Sequence, residues 1–327
     1  MTISIIIPTH NSERTIRECL DSLTQVEEQN HEILILDDST DRTAELIREY
    51  KNVNVIPCNK RAGAKRNDGA ALSNGDILVF IDDDVIVTGA WLPNLIKDLD
   101  GSIAEAGGPN LTPPDDSFLA KCAGYVLSSP LGSGGIRYGN ARREKAFVNH
   151  NPSCNIAVTK SAYQEIRGFR EDFWPSEDVE FDNRLLKAGY KIVYEPEAVV
   201  YHRRKDTVKK FFWQIFNYGK NRVLLKKMDK GMISTIHYMP SLVVITFFLL
   251  LVLGVVHRIF WFLLLGLGMV YLTLCGLYAI SVSLKERSGR YLLMIPIYTI
   301  VNHSAWGVGF LYGVYSYRGI RGDFDGL

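Results

Sequence analysis

Three adjacent carboxylates are the first group in this 327-residue sequence that could carry out chemistry. Asp82, Asp83 and Asp84 follow the fully apolar run 77–81, so their charges come together where a predicted buried strand ends. Adjacent carboxylates repel one another, and a hard divalent cation with oxygen ligands relieves that repulsion. Mg²⁺ or Mn²⁺ commonly shares such a site with substrate phosphates. The triplet therefore indicates a cation site, with a solvated acidic turn as the alternative.

A second acidic pair, Glu177 and Asp178, comes directly after Ser176. Serine is a favoured helix N-cap, and the helix dipole favours acids in the first turn. Capping alone explains a single pair of this kind, so the pair gains meaning only from other parts of the sequence.

Alternating strand and helix segments must position these acids. The runs 3–7, 32–36, 53–56 and 77–81 are typical of short buried strands, and 41–50 and 63–73 are typical of helices. This order predicts an α/β fold with a doubly wound, mostly parallel sheet. Ligands of such sheets bind beyond the carboxyl ends of the strands. The polar groups at 9–11, 37–38 and 82–84 all lie at such ends.

The overall composition excludes several classes of protein. Lys and Arg number 37 against 36 Asp and Glu, which argues against a nucleic-acid partner bound through bulk positive charge. Five cysteines, without a C-x-x-C pair, argue against a disulfide framework and a cysteine zinc site. The apolar run 3–7 is too short for a signal peptide. We expect the charge-rich part of the chain in a reduced, cytosolic setting.

The last third of the chain is far more apolar than the rest. Residues 236–256 and 259–284 carry no charged side chain, and each run exceeds the roughly 20 residues that cross a bilayer. Two transmembrane helices are therefore predicted. A third uncharged stretch, 291–317, contains Pro296, Asn302 and His303, and could span, re-enter or lie at the interface.

Basic residues beside these runs predict the orientation of a multi-pass protein of the cell membrane. Lysines and arginines cluster at 226–230 and 285–290, whereas the turn between the two runs has only Arg258. The positive-inside rule places the charge-rich domain in the cytoplasm. A third span would put Arg318 and Arg321 outside, against that rule.

The segment just before the apolar part is rich in basic and aromatic residues. Residues 203–230 hold ten Lys or Arg against two Asp, interleaved with phenylalanine, tyrosine and tryptophan. This mixture favours helices lying on an anionic leaflet, with RNA binding or a solvated helix as alternatives. The predicted domains are 1–202, a catalytic domain; 203–231, interfacial helices; and 232–327, a membrane region with two or three transmembrane helices.

The motifs together resemble the family-2 glycosyltransferases of the GT-A fold, a Rossmann-like sheet fold. The resemblance covers about the first 220 residues and rests on five motifs in order, namely 8–11 (PTHN), 37–43 (DDSTDRT), 63–67 (GAKRN), 82–84 (DDD) and 177–178 (ED). The stretches 128–135 and 303–313 are similar to membrane-bound members of the type that builds succinoglycan. The resemblance implies a nucleotide-sugar donor and a divalent cation, Mn²⁺ or Mg²⁺.

The resemblance also implies a role for individual residues. The nucleotide-sugar site would comprise Pro8, Thr9, Asn11, Asp38, Lys65, Arg66, Asp82 and Asp83. Asp38 would contact the base, with Asp37 as an alternative, and Lys65 and Arg66 would lie near the diphosphate unless they form a helix surface pair. The cation would be held by Asp84 and Asp82, with His202 as a further contact. Gln214 and Arg222 would close over the diphosphate.

The reaction itself places a demand on the acidic pair. An acceptor hydroxyl is a poor nucleophile at neutral pH and needs a general base. We expect Asp178 to be that base, with Glu177 binding the acceptor or orienting the site, in an inverting transfer. A polyprenyl phosphate needs no base, so the pair favours a hydroxyl of a lipid-linked or membrane-proximal saccharide beside the bilayer. A polyprenyl-phosphate glycosyl synthase and a non-catalytic nucleotide-binding scaffold are the alternatives.

Overall fold

A computed structural model describes residues 2–27, 30–134 and 144–319 of the chain. They fall into two compact units, Met1–Pro113 with Tyr138–Arg203 and Pro114–Arg137 with Arg204–Leu327. The predicted division into 1–202, 203–231 and 232–327 stays a prediction.

The secondary structure alternates strand and helix in the first two hundred residues and is helical afterwards. The strands are β1 Ile3–Thr9, β2 His31–Asp37, β3 Val53–Pro57, β4 Ile77–Ile81, β5 Val85–Val87, β6 Ile103–Gly107, β7 Asn110–Leu111, β8 Ala146–Val148, β9 Asn155–Thr159, β10 Lys191–Tyr194 and β11 Val200–His202. The helices are α1 Ile16–Leu23, α2 Thr43–Ile47, α3 Ala62–Leu72, α4 Trp91–Ile96, α5 Phe118–Ser128, α6 Pro130–Ser133, α7 Lys160–Glu165, α8 Glu177–Lys187, α9 Val208–Met228, α10 Met239–Val256, α11 Ile259–Glu286 and α12 Arg290–Ser316, with 3₁₀ turns at Lys230–Met232 and Thr235–Tyr238.

The first unit is built on one eight-stranded sheet. Its order is β3-β2-β1-β4-β9-β6-β10-β8. The strands β3, β2, β1 and β4 are parallel, β9 runs antiparallel to both of its neighbours, β6 and β10 are parallel, and β8 is antiparallel at the edge. The predicted α/β fold with a mostly parallel sheet is confirmed.

The apolar strands explain why this sheet lies at the centre of the unit. Every residue of β1 and β4 is buried, as expected of parallel strands covered by helices on both faces. Helix α3 lies against β1 at Gly69, where a Cβ atom would stand 2.5 Å from a methyl group of Ile6. This close approach fixes α3, and with it Lys65 and Arg66, beside the carboxyl ends of β1 and β4.

A second, three-stranded sheet brings a distant histidine to the acidic triplet. Its order is β5-β11-β7, and in the antiparallel pair His202 lies opposite Val85. The backbone N–H of Arg203 donates to the carbonyl of Asp84 at 3.1 Å. Residues about 120 positions apart in sequence therefore meet through strand pairing.

The second unit is helical, and its long helices differ in exposure. By length and composition, Thr235–Val256 and Ile259–Glu286 are able to cross a membrane, and only 17% and 6% of their most apolar windows are buried. Mostly buried core helices would show the opposite. Helix α12 is instead packed closely on α9, since Cβ atoms at Gly309 and Gly313 would stand 2.1 and 2.5 Å from the carbonyl oxygens of Phe216 and Lys220.

Candidate active site

The ends of β2, β1 and β4 meet as the sequence predicts. Since β1 lies between the other two strands, the residues after it contact both. The His10 ring Nδ1 lies 2.9 Å from Asp38 Oδ1, and the backbone N–H of His10 donates to Asp83 Oδ2 at 3.2 Å. The Ser12 hydroxyl also donates to Asp83. The predicted polar groups thus form one continuous edge.

Asp38 lies at the centre of a compact group of donors. Lys65 Nζ donates to Asp38 Oδ1 at 2.5 Å and to the carbonyl of Thr9 at 2.6 Å. Burial alone would raise the pKa of Asp38, but the hydrogen bonds from Lys65 and His10 lower it below its ordinary value. Lys65 is buried, which excludes a helix surface pair.

The side chain of the alternative residue, Asp37, is hydrogen-bonded within its own turn. Its Oδ1 accepts from the backbone N–H and the hydroxyl of Ser39, and the residue is buried. Asn11, at a positive φ of 53°, accepts the N–H of Thr40 at 2.8 Å and so ties the end of β1 to the loop after β2. Pro8 is buried within β1. This geometry favours Asp38 over Asp37 as the group that faces a ligand.

The three adjacent aspartates point in different directions. One ligand atom each from Asp82, Asp84 and His202 lies within 4.8 Å of the others, and these are the metal-ligating groups found together in the described ranges. Asp83 is turned away toward Ser12 and His10. Burial, followed by the charge of Asp84, raises the pKa of Asp83 to about 7. Two carboxylates of the triplet, rather than three, are therefore placed where they could hold a cation.

His202 completes this group from β11. Its Nε2 lies 3.0 Å from Asp84 Oδ1. Burial lowers the pKa of His202, but Asp84 and Cys154 together outweigh burial and raise it to about 10. Two carboxylates and an imidazole are a donor set that suits Mn²⁺ well and Mg²⁺ through the carboxylates.

Arg66 links the triplet to the second acidic pair. Its Nη2 donates to Asp82 Oδ1 at 2.8 Å and its Nη1 to Glu177 Oε1 at 2.9 Å, and the residue is only 2% exposed. The guanidinium also lies over the ring of Phe169, 5.4 Å from its centroid. Asp82 and Glu177 therefore share one buried guanidinium group. The sequence places Arg66 near the site but carries no sign of this bridge across 111 residues.

Helix α8 presents Glu177 and Asp178 in its first turn. Ser176 occupies the predicted N-cap position, but with a positive φ of 85° its side chain makes no capping hydrogen bond. Glu177 is buried against Arg66; burial raises its pKa and the Arg66 charge opposes that change. Asp178 is half-buried and accepts the N–H of Ser153 at 3.4 Å and of Val179 at 2.9 Å.

Two further predicted residues, Gln214 and Arg222, lie on α9 in the second unit. Gln214 Nε2 donates to the hydroxyl of Tyr218 at 3.1 Å. Arg222 Nη1 donates to the carbonyl of Met232 at 3.1 Å, and its guanidinium lies 5.9 Å from the ring centroid of Trp306. Both stay predictions as contacts of the diphosphate.

Sequence reasoning missed one buried group beneath α8. Glu105 and Asp182 are both fully buried and share a hydrogen bond. The sequence did contain a signal, because Glu105 interrupts the otherwise apolar strand β6. An acid at such a position requires a buried partner.

Comparisons with known proteins identify the family of this chain. A family model described as "Glycosyl transferase family 2" matches residues 4–167, and one described as "Glycosyl transferase family group 2" matches residues 102–301. The predicted resemblance is confirmed.

Curated relatives match almost the whole chain. One is the dolichyl N-acetyl-alpha-D-glucosaminyl phosphate 3-beta-D-2,3-diacetamido-2,3-dideoxy-beta-D-glucuronosyltransferase of Methanococcus voltae, 26% identical over 95% of this chain and 97% of the relative. Another is the succinoglycan biosynthesis protein ExoA of Rhizobium meliloti, 27% identical over 94% of this chain and 93% of the relative.

A solved structure shows the same fold. The mannosyltransferase PcManGT from Pyrobaculum calidifontis, in complex with GDP-Man and Mn²⁺, superposes with a TM-score of 0.64 at 15% identity, over 95% of this chain and 87% of that one. The predicted GT-A fold is confirmed.

Proposed function

The chain belongs to glycosyl transferase family 2, and from this premise we propose that it moves a sugar from a nucleotide-sugar donor, of the UDP-sugar class, to a hydroxyl of a lipid-linked saccharide, with inversion at the anomeric carbon. One observation carries the proposal. The strand-end cluster of Asp82, Asp84 and His202 and the first turn of α8 are joined through Arg66. The residues proposed to bind the donor therefore lie next to those proposed to act on the acceptor.

The donor half comprises the residues at the ends of β1, β2 and β4. Asp38, held by Lys65 and His10, accepts a hydrogen bond from the nucleotide base. Asp82, Asp84 and His202 would hold Mn²⁺ or Mg²⁺, which when bound offsets negative charge on the diphosphate. Arg66 adds a fixed positive charge beside Asp82.

The acceptor half is the first turn of α8. Asp178 accepts the proton of the acceptor hydroxyl while the oxygen forms a bond to the anomeric carbon. The bond from that carbon to the diphosphate oxygen breaks, and its electron pair leaves with the diphosphate. Glu177 is fixed by Arg66, which leaves Asp178 as the better-placed base.

A screen of sugar nucleotides tests the proposed function directly. A donor that binds the folded protein raises its melting temperature, and the rise should require Mn²⁺ or Mg²⁺. Product analysis then identifies the acceptor. A saccharide extended by one sugar supports the proposal, whereas a polyprenyl monophosphate sugar identifies the synthase alternative. Binding without transfer or hydrolysis identifies a non-catalytic scaffold.

An exposed aromatic side chain supports a saccharide acceptor. Trp174 lies four residues before Asp178 and is 53% exposed, although its neighbour Phe173 is buried. An indole face stacks on the C–H face of a sugar ring but has no such use for a bare phosphate.

Replacing Trp174 with alanine should raise KM for the saccharide acceptor. Aromatic contacts contribute about 0.5–1.5 kcal/mol, which is about a two- to tenfold change in affinity. Steady-state assays at saturating donor measure it. Trp174→Phe should restore most of the affinity, and Phe147→Ala, which removes another exposed ring of the same unit, should change nothing. An unchanged acceptor KM in Trp174→Ala would rule out the contact.

For the membrane helices we propose a hairpin that crosses the bilayer twice, with the catalytic unit on the cytoplasmic side. The support is the exposed apolar surface of α10 and α11 and the basic residues at 226–230 and 285–290. Single cysteines test this orientation when they are introduced into a variant that lacks the five natural cysteines. Arg258→Cys should react with an impermeant maleimide in intact cells, and Lys285→Cys only after permeabilisation. The reverse pattern would invert the orientation.

A further inference from the structure

Helix α8 is held in place by a buried group of polar side chains that the reaction does not use. Glu105 on β6, Asp182 on α8 and Asn151 in the loop before β9 are all fully buried. Asn151 Nδ2 donates to Glu105 Oε1 and to the carbonyl of Val193, each at 3.1 Å. His150, with a side chain 26% exposed, connects this group to the surface.

The two carboxyl groups share one proton. Burial, followed by the charge of Asp182, raises the pKa of Glu105 well above its ordinary value, and burial does the same for Asp182. The oxygens Glu105 Oε2 and Asp182 Oδ1 are buried and lack any other donor among the described residues. Two neighbouring carboxylates do not ionise together in an apolar setting. The protonated acid therefore donates to the ionised one.

The other oxygen of Asp182 binds one loop at two points. Asp182 Oδ2 accepts from His150 Nδ1 at 2.7 Å and from the backbone N–H of Asn151 at 2.9 Å. Asp178, one helical turn earlier on the same face of α8, accepts the N–H of Ser153 in the same loop. The segment 150–153 is thus fastened to α8 by two aspartates, one of which is the proposed base.

We propose that Asp182, together with Glu105, is a positioning residue that holds the loop 150–153 against α8 and thereby fixes the carboxylate of Asp178. The inference rests on the proposed function of Asp178 as the base. Loss of this support moves Asp178 away from the acceptor hydroxyl, and a displacement of about 1 Å costs about a hundredfold in rate. Donor binding, which uses other residues, is unaffected.

We expect different results from two replacements of Asp182. Asp182→Ala removes the acceptor of both loop donors, so kcat should fall about a hundredfold while the donor KM and the Mn²⁺-dependent stabilisation by the donor stay unchanged. Asp182→Asn should keep transfer within a few-fold of the wild type. Its amide N–H replaces the shared proton toward Glu105, and its carbonyl still accepts from the loop.

Variants of His150 test the same contact with Asp182 without creating a cavity in the core. His150→Ala should lower kcat, whereas His150→Asn should restore it because the asparagine amide occupies the place of Nδ1. These variants keep the proposal open to test if Asp182→Ala does not fold, which the loss of a cooperative melting transition would reveal.

The outcomes separate this inference from the proposed function. Wild-type transfer with full activity in Asp182→Ala or His150→Ala overturns the positioning role. So does an Asp182→Asn variant as impaired as Asp182→Ala, or an equal loss of donor binding in all variants. A wild-type protein that neither binds nor transfers any sugar nucleotide would instead overturn the proposed function.

Discussion

Asp178→Asn should lower the rate of sugar transfer by about a hundredfold or more, the scale of general-base catalysis. Asparagine has nearly the shape of aspartate and keeps one acceptor oxygen, for either the N–H of Ser153 or that of Val179, which bind different oxygens of Asp178. Its amide accepts no proton from the acceptor hydroxyl. Donor binding should survive, because Asp38, Asp84 and His202 are unchanged.

Transfer assays at saturating donor and acceptor measure this effect, and thermal stabilisation by the donor with Mn²⁺ confirms that binding is intact. Asp172→Asn is a matched control, since this exposed acid lies six residues earlier and pairs with Arg170. It should retain full activity. Near-normal turnover in Asp178→Asn would remove Asp178 from the role and direct attention to Glu177.

The backbone of the site is predictable from the sequence because the positions of the strands follow from local pattern. Apolar runs that end abruptly in polar residues identify β1, β2 and β4, and parallel strands place their carboxyl ends together. The five motifs supply the order of the site along the chain. For that reason the edge formed by Thr9, Asp38 and Asp82 is predictable before any coordinates are known.

The different contacts of neighbouring side chains are not predictable in the same way. Asp83 and Asp84 are adjacent and identical, yet Asp83 faces Ser12 and Asp84 faces His202. Residues 83 and 84 form the turn between β4 and β5, and the pairing of β5 with β11 brings His202 to Asp84. Similarly, the bridge from Arg66 to Glu177 depends on how α3 and α8 pack, which no local pattern encodes.

This difference between Asp83 and Asp84 leads to the second large effect. Asp84→Asn should weaken Mn²⁺ binding by more than about a hundredfold, above the range seen for partners that only support a ligand. A neutral amide oxygen replaces a carboxylate, and the ion pair with His202 is lost as well. Transfer should fall with the loss of the cation, as it should in wild-type protein treated with EDTA.

Titration of the purified protein with Mn²⁺ alone, followed by calorimetry, measures the affinity without any donor. Asp83→Asn is the matched control for this measurement. Its carboxyl lies outside the group formed by Asp82, Asp84 and His202, and an amide still accepts from Ser12 and His10. Mn²⁺ affinity should therefore stay near the wild-type value in Asp83→Asn. Equal losses in both variants would mean that the triplet binds a cation as a diffuse acidic patch, without the selective geometry derived from β5 and β11.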